Sequence, residues 1–193
     1  MEVTKKFLLD KSRASLVVVD VQQKLVKAMP EAIYRQTLKS IEFLVESARL
    51  LGMPVTVTEQ YPRGLGHTVP ELAKAGQEKT VEKVSFGCCG ERNFVARLLE
   101  QGRPQVVVAG MEAHVCVYQT VLGLLEEGYG VHLVRDAIIS RSKVDYENAL
   151  ELARQAGAVV TTAETAVFQL VETAAAAEFK AISALVKARF ANR

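Results

Sequence analysis

The sequence predicts an α/β protein in which six parallel strands form one doubly wound sheet with helices on both faces. Three observations indicate this fold class: short β-branched runs alternate with longer segments of helical periodicity, most of the runs are continuously apolar, and a glycine follows each of four helical segments. Apolar strands separated by helices are typical of a parallel sheet that is covered on both faces. A glycine directly after a helix favours a left-handed end to that helix.

Six runs are predicted to be strands. The third differs from the others because polar and apolar residues alternate along it. The runs are "SLVVVD" (15–20), "PVTVTE" (54–59), "KTVEKV" (79–84), "QVVVAG" (105–110), "GVHLVRD" (130–136) and "AVVTTA" (158–163).

Helices are predicted between most of these strands, because apolar residues recur there at helical spacing. The tail from Ala163 is alanine-rich with one apolar side, and we expect it to be helical and to pack on the sheet or against a second subunit. The predicted helices before the tail are residues 31–51, 93–101, 116–127 and 146–156.

Length and composition narrow the class of protein. At 193 residues, a single domain over residues 1–193 is expected. The 24 basic and 22 acidic residues give a net charge of +2, which does not suggest a nucleic-acid partner. The longest apolar runs fall far short of the roughly 20 residues of a membrane span, so no membrane partner is expected. The start of the chain lacks a signal core, and three cysteines suit a reducing compartment, so we expect a cytoplasmic protein.

Chemically reactive side chains stand where the predicted strands end, the edge at which open α/β sheets bind ligands. They are Asp20 on the first strand, Lys83 on the third, Cys116 shortly after the fourth and Asp136 on the fifth. Each alone has an ordinary interpretation: a helix-capping acid, a solvated lysine, a buried small thiol. For Asp136 and the following 140–142 segment, a structural role is favoured.

Together, Asp20, Lys83 and Cys116 are the parts that acyl transfer needs. A lysine and a helix N-terminus would stabilise a thiolate and lower its pKa, while an aspartate could accept the thiol proton. Backbone N–H groups at the turn could hold a developing oxyanion.

Three segments of the sequence resemble the signature segments of the isochorismatase-like (cysteine hydrolase) family, which includes nicotinamidases. They are "VVVDVQQKL", "VEKVSF" and "VVVAGMEAHVCV", and the similarity covers nearly the whole chain in order and spacing. The segments "VTEQYPRGLGHTVPEL" and "VRDAIISRS", with the tail, are most similar to the isochorismatase-domain-containing subfamily. The resemblance implies a six-stranded parallel sheet and a homo-oligomer.

The resemblance also implies roles for the three side chains. Asp20 would be the general base, Lys83 its electrostatic partner and Cys116 the nucleophile. A cis peptide bond is implied at Met111–Glu112, where it would direct backbone N–H groups of the turn, those of Ala113 and Cys116, at the oxyanion.

Several other residues are candidates for the pocket, and one kind of site is not expected. The pocket candidates are Gln22, Tyr61, Phe86 and His114. No catalytic metal is expected, because Glu59 and His67 do not have the spacing of the nicotinamidase metal site. No cofactor is expected either, because the glycines at 64 and 66 lack the third glycine of a dinucleotide fingerprint.

The function expected from the sequence is hydrolysis of a small amide or related carbonyl compound through a covalent acyl-enzyme at Cys116. Three alternatives stay open. The chain could be a catalytically silent binding or scaffold protein, a vinyl-ether hydrolase of the isochorismatase type, or a redox sensor that pairs Cys116 with Cys88 or Cys89.

Overall fold

One six-stranded sheet organises the chain in the computed structural model, which describes residues 3–72 and 80–190. Neighbouring strands pair in parallel, in the order β3-β2-β1-β4-β5-β6. The strands are β1 (Ala14–Val19), β2 (Val55–Gln60), β3 (Val81–Lys83), β4 (Gln105–Met111), β5 (Gly130–Ile139) and β6 (Val159–Thr161).

Helices cover both faces of this sheet, which confirms the predicted fold class. Alternate residues of β1 enter opposite cores: Leu16 and Val18 pack in one, Val17 and Val19 in the other. Helices α2, α7 and α8 close the first core, and α4, α5 and α6 close the second. The helices are α1 (Val3–Phe7), α2 (Glu31–Leu50), α3 (Pro62–Leu65), α4 (Arg92–Gln101), α5 (Tyr118–Glu126), α6 (Lys143–Ala156), α7 (Ala163–Val171) and α8 (Phe179–Phe190).

Element boundaries differ from the predictions at several places. The third strand is short, and Lys79 at the start of its predicted run lies outside the described residues. The helix predicted from residue 116 begins at Tyr118, because one turn of π-helix, Ala113–Val117, precedes it. The helical tail is two helices, which are separated near Glu172, where φ is 65°.

The strand order creates a crevice where β1 meets β4. From β1 the chain continues to β2 and β3 on one side and then returns to form β4 on the other side. In open α/β sheets this switch point, beyond the carboxyl ends of the strands, is where ligands bind. Gly110 of β4 lies against β1 here with φ of 122°, and a Cβ atom at this residue would lie 2.0 Å from the carbonyl oxygen of Val19. The close approach of the two strands therefore requires glycine.

None of the helices over residues 3–72 and 80–190 combines the length and the apolar character that crossing a membrane needs.

Candidate active site

An acid and an amine from two separated strands form a buried ion pair at the switch point. Asp20 directly follows β1, and Lys83 is the last residue of β3, on the far side of β2. The lysine crosses β2, and its Nζ lies 2.7 Å from Asp20 Oδ2, with both side chains completely buried. A buried pair of this kind keeps its strength because water does not screen it.

The ammonium group of Lys83 is saturated with oxygen partners. In addition to the Asp20 carboxylate, it donates to Gln60 Oε1 at 2.7 Å and to the backbone carbonyls of Phe86 and Ser85 at 2.8 and 3.2 Å. Three N–H protons are shared among four oxygen atoms. Lys83 therefore serves as a fixed positive charge beside Asp20, and it also holds the loop that carries Phe86.

Asp20 is fixed through its other oxygen and through its backbone. The Thr58 hydroxyl in β2 donates to Asp20 Oδ1 at 2.7 Å. The backbone of Asp20 lies in the left-handed region with φ of 52°. For a residue other than glycine this conformation costs on the order of 1 kcal/mol, and such conformations concentrate at functional sites.

Cys116 lies in the π-helical turn after β4 and completes the group. Its thiol donates a hydrogen bond to the Asp20 carboxylate, and only 6% of the residue is exposed. Burial raises the pKa of the Cys116 thiol to about 12, the negative charge of Asp20 raises it further, and Lys83 opposes this only in part. The thiol therefore rests protonated, and the expectation of a lowered pKa is wrong. What the geometry provides is a proton acceptor in contact with the sulfur.

The turn before Cys116 leaves its backbone amides available. The peptide bond Met111–Glu112 is cis, at the position that the family resemblance implies. No side chain caps the N-terminus of the turn. The Glu112 carboxylate instead accepts from Arg141, from the backbone N at 3.2 Å and from Nε at 3.0 Å. Amides in the first turn of a helix have no partner within the helix, so the N–H groups of Ala113 and Cys116 can donate to a ligand oxygen.

The four pocket candidates have different environments. Tyr61 and Phe86 are more than half exposed, as side chains at the mouth of a site would be. Gln22 is completely buried, and its amide bonds the backbone of Gln60 and Gly66, so it fastens the loop after β2. A contact between Gln22 and a ligand stays a prediction.

His114 contacts the segment after β5 and the first turn of α6. Its Nδ1 lies 2.9 Å from Ser140 Oγ, and its Nε2 lies 4.0 Å from Asp145 Oδ2. The hydrogen bond to Ser140 joins the turn that carries Cys116 to the segment after β5. His114 therefore stabilises the turn, and its role as a pocket residue stays a prediction.

Sequence reasoning missed a set of buried polar side chains around the ion pair. Thr58 and Gln60 lie on one face of β2, and alternation in "VTVTEQ" was the signal that could have identified them. Thr120 in α5 donates to the carbonyl of Cys116 at 2.6 Å. No sequence pattern distinguishes that hydroxyl from an ordinary helix threonine.

Glu59 and His67, the residues considered for a metal, bond to each other. His67 Nδ1 lies 3.0 Å from Glu59 Oε2, and the other oxygen of Glu59 accepts from the backbone and hydroxyl of Thr68. Within the described parts of the chain, no three His, Cys, Asp or Glu side chains come together as metal ligands would.

A cavity of about 930 Å³ lies beside β5 rather than over Cys116. Side chains of both charges line it, and neither Asp20, Lys83 nor Cys116 is among its lining residues. Arg141 connects it to the site, because the same side chain lines the cavity and pairs with Glu112.

Comparison with known proteins identifies a family model, the Isochorismatase domain, over residues 14–165. The chain is 44% identical over 151 residues to "Secreted isochorismatase effector Isc1" of Phytophthora sojae, covering 75% of this chain and 71% of the relative. Because that relative is described as secreted, a cytoplasmic location for this chain stays a prediction.

Two solved structures share the fold over nearly the whole chain. MAR1 ribonuclease from Caenorhabditis elegans superposes with a TM-score of 0.86 at 36% identity, covering 93% of this chain and 92% of that one. YcaC from Pseudomonas aeruginosa, solved with hexane-2,5-diol and covalent acrylamide, gives 0.87 at 25% identity, covering 95% and 92%.

Proposed function

The chain belongs to the isochorismatase family, and we propose that it is a cysteine hydrolase that cleaves a small amide or related carbonyl compound. One observation carries the proposal: the Cys116 thiol donates to the carboxylate of Asp20, which Lys83 holds in a buried ion pair. A nucleophile in contact with a fixed base is the arrangement that covalent catalysis needs.

In the first half of the proposed reaction, Asp20 accepts the thiol proton as the sulfur of Cys116 attacks the carbonyl carbon. A carbon–sulfur bond forms, and the electron pair of the carbonyl moves to its oxygen. The amides of Ala113 and Cys116 would hold this oxyanion. The carbon–nitrogen bond then breaks, and the leaving nitrogen takes the proton from Asp20, so that a primary amide releases ammonia.

In the second half, water attacks the thioester. Asp20 accepts a proton from that water, and the carbon–sulfur bond breaks to release a carboxylic acid. The proton then returns to the sulfur of Cys116. Because Asp20 alternates between base and acid, it must stay in place throughout, and its bonds to Lys83 and Thr58 supply that constraint.

The covalent acrylamide in the YcaC structure supports a small amide as a probe of this site. Acrylamide carries an electrophilic carbon on a primary amide, and it is small enough for an entrance that leaves 6% of Cys116 exposed. The same burial argues against RNA as the substrate, although the nematode relative is described as a ribonuclease. A polymer backbone could not reach an aspartate that is completely buried.

The test combines a trapping experiment with a turnover screen. Incubation with acrylamide should add one acrylamide to the peptide that contains Cys116, detected by mass spectrometry. A panel of small primary amides should include compounds that release ammonia with the unaltered protein and not with Cys116→Ala. Asp20→Asn should suppress both reactions, because the proton acceptor is lost.

The matched control is Cys89→Ala, which removes a thiol outside the site and should leave both reactions intact. Ammonia release that persists in Cys116→Ala would overturn the covalent mechanism. Turnover of isochorismate-like vinyl ethers alone would favour the vinyl-ether alternative. Acrylamide addition without turnover of any amide, ester, vinyl ether or RNA would favour a silent binding protein.

A further inference from the structure

A second buried thiol, that of Cys88, lies beside the proposed nucleophile. Cys88 is completely buried in a single turn of 3-10 helix, Cys88–Gly90, that follows the Lys83 loop. Its electrostatic neighbours are Asp20 and Lys83, the same two charges that act on Cys116. Nothing in the hydrolytic mechanism uses this sulfur.

The backbones of the two cysteines meet at one hydroxyl group. The backbone N–H of Cys88 donates to Thr120 Oγ1 at 3.0 Å, and the same hydroxyl donates to the carbonyl of Cys116 at 2.6 Å. Two cysteines must have neighbouring backbones before a disulfide bond can join them. One bridging oxygen atom separates the backbones here.

The two side chains also converge on one polar pair. The Cys116 thiol donates to the Asp20 carboxylate. The Cys88 thiol lies 3.8 Å from the Thr58 hydroxyl, which in turn donates to Asp20 at 2.7 Å. The Cys116 sulfur therefore contacts the carboxylate directly, and the Cys88 sulfur is connected to it through the Thr58 hydroxyl.

The adjacent Cys89 points elsewhere and provides a natural comparison. A Cβ atom on Gly123 of α5 would lie 3.0 Å from the Cys89 sulfur and 2.8 Å from its Cβ, so Cys89 packs against that helix. Besides Cys88, its electrostatic neighbours are Glu126 and Glu127, at the end of α5. Of the two adjacent cysteines, Cys88 is the one that faces the site.

We propose that Cys88 captures oxidised Cys116 in a disulfide bond, which makes the pair a reversible modification site for hydroperoxides. Asp20 accepts the Cys116 proton, and the sulfur attacks the peroxide, breaking the O–O bond to give a sulfenic acid and one water. The thiol of Cys88 then attacks that sulfur, and a second water leaves. Two thiols lose two electrons in total, and one hydrogen peroxide becomes two waters.

The modification switches off the proposed nucleophile and shields it from irreversible damage. A sulfenic acid without a partner thiol is oxidised further to a sulfinic acid, which reductants do not reverse. Burial raises the pKa of the Cys88 thiol to about 11 and that of Cys116 to about 12. Because both thiols rest protonated, oxidation of Cys116 depends on Asp20 as the proton acceptor.

The experiment exposes the full chain to hydrogen peroxide and maps its peptides without reduction. The expected product is a linked peptide pair, Cys88 with Cys116. Acrylamide addition to Cys116 should fall with exposure and return after treatment with a thiol reductant. In Cys88→Ser the loss should be irreversible, with sulfinic acid at Cys116, while Cys89→Ala should behave like the unaltered protein.

Several results would overturn the proposal: no oxidation at Cys116, oxidised Cys116 without a linked partner, a link from Cys116 to Cys89, or full recovery in Cys88→Ser. Denaturant unfolding of Cys88→Ser separates a chemical effect from loss of fold. Peptide mapping does not depend on amide turnover. A disulfide could therefore be found in a protein that fails the hydrolase test, and hydrolysis could be found without the disulfide.

Discussion

Two ion pairs, each between an aspartate and a basic side chain, lie at opposite sides of the sheet. They look alike in sequence but differ in how deeply they are buried. Asp20 pairs with Lys83 at 2.7 Å, with both side chains completely buried. Asp136 pairs with Arg189 at 2.5 Å, with 32% of the aspartate and 12% of the arginine side chain exposed. The sequence predicts that each aspartate ends a parallel strand. Asp20 does directly follow β1, but Asp136 lies within β5, which continues to Ile139.

The neighbours of the two carboxylates indicate a structural role for Asp136 and a chemical role for Asp20. Asp136 accepts from the backbone N–H of Ala163, where α7 begins, and from Arg189 of α8, which stacks over the rings of Phe43 and Phe190. Both of its oxygens join elements of the fold. Asp20 also has two structural partners, but a thiol is its third. A carboxylate at a strand end is a candidate for chemistry when a reactive group contacts it, and the acid itself does not reveal this.

The largest effect is expected from Lys83→Met. It leaves Asp20 buried without its cation, and breaking a buried pair in this way typically costs about 3–5 kcal/mol. The free energy of unfolding, measured with denaturant, should fall by that amount. The double variant Asp20→Asn with Lys83→Met should recover a substantial part of the loss, because no unpaired charge remains. A double variant as unstable as Lys83→Met would show that packing, and not the charge, is responsible.

The fold was predictable from sequence for a different reason than the site. Runs such as "SLVVVD" are apolar along their whole length because both faces of the sheet are covered, so the pattern directly reports the fold. Lys83 reaches Asp20 across β2, and no local pattern reports which side chains meet over a neighbouring strand. For Lys83 and Cys116, family resemblance supplied the grouping that spacing could not.

The predicted and the observed site differ in the protonation state of the Cys116 thiol. A helix N-terminus and a lysine predict a lowered thiol pKa for Cys116, but burial and the adjacent Asp20 raise it. The sequence shows which charged residues are present, but it does not show how deeply their side chains are buried. The same limit applies to Thr58 and Cys88, whose importance follows from what contacts them.

A second prediction concerns the free energy of unfolding in acid, and it assigns the acid sensitivity to a residue of β5. His132 of β5 is almost completely buried, and desolvation lowers its pKa from 6.5 to about 4. Its neutral form is therefore favoured in the folded state. The associated stability is fully present above pH 6.5 and is lost as the pH falls towards 4, which amounts to about 3 kcal/mol.

The measurement for His132 is the free energy of unfolding from pH 7 to pH 4. The free energy of unfolding of His132→Leu should decline less steeply over this range than that of the unaltered protein. The comparison uses slopes, so any change in packing by leucine at neutral pH cancels. Equal slopes in the two proteins would assign the acid sensitivity to other groups.

A smaller effect is expected from Arg189→Met. The partly exposed pair and the cation–π contacts with Phe43 and Phe190 together contribute about 1–2 kcal/mol. Asp136 retains the N–H of Ala163, so it is not left without a partner. Denaturant unfolding should show this modest loss, and acrylamide addition to Cys116 should proceed at the unaltered rate. A slower addition would connect the β5 side of the sheet to the candidate site.

The smallest effect is expected from Arg141→Gln, which completes a series ordered by burial. The Arg141 side chain is 59% exposed and that of Glu112 only 8%, so water solvates the guanidinium before and after the change. Glu112 also keeps the backbone N–H of Arg141. The free energy of unfolding should therefore change by less than about 1 kcal/mol. The matched control is Arg141→Lys, which keeps the charge and loses the planar group. If Arg141→Gln lowered the free energy of unfolding as much as Lys83→Met does, burial would not explain the difference between the ion pairs. The different roles of Asp20 and Asp136 would then lose their physical basis.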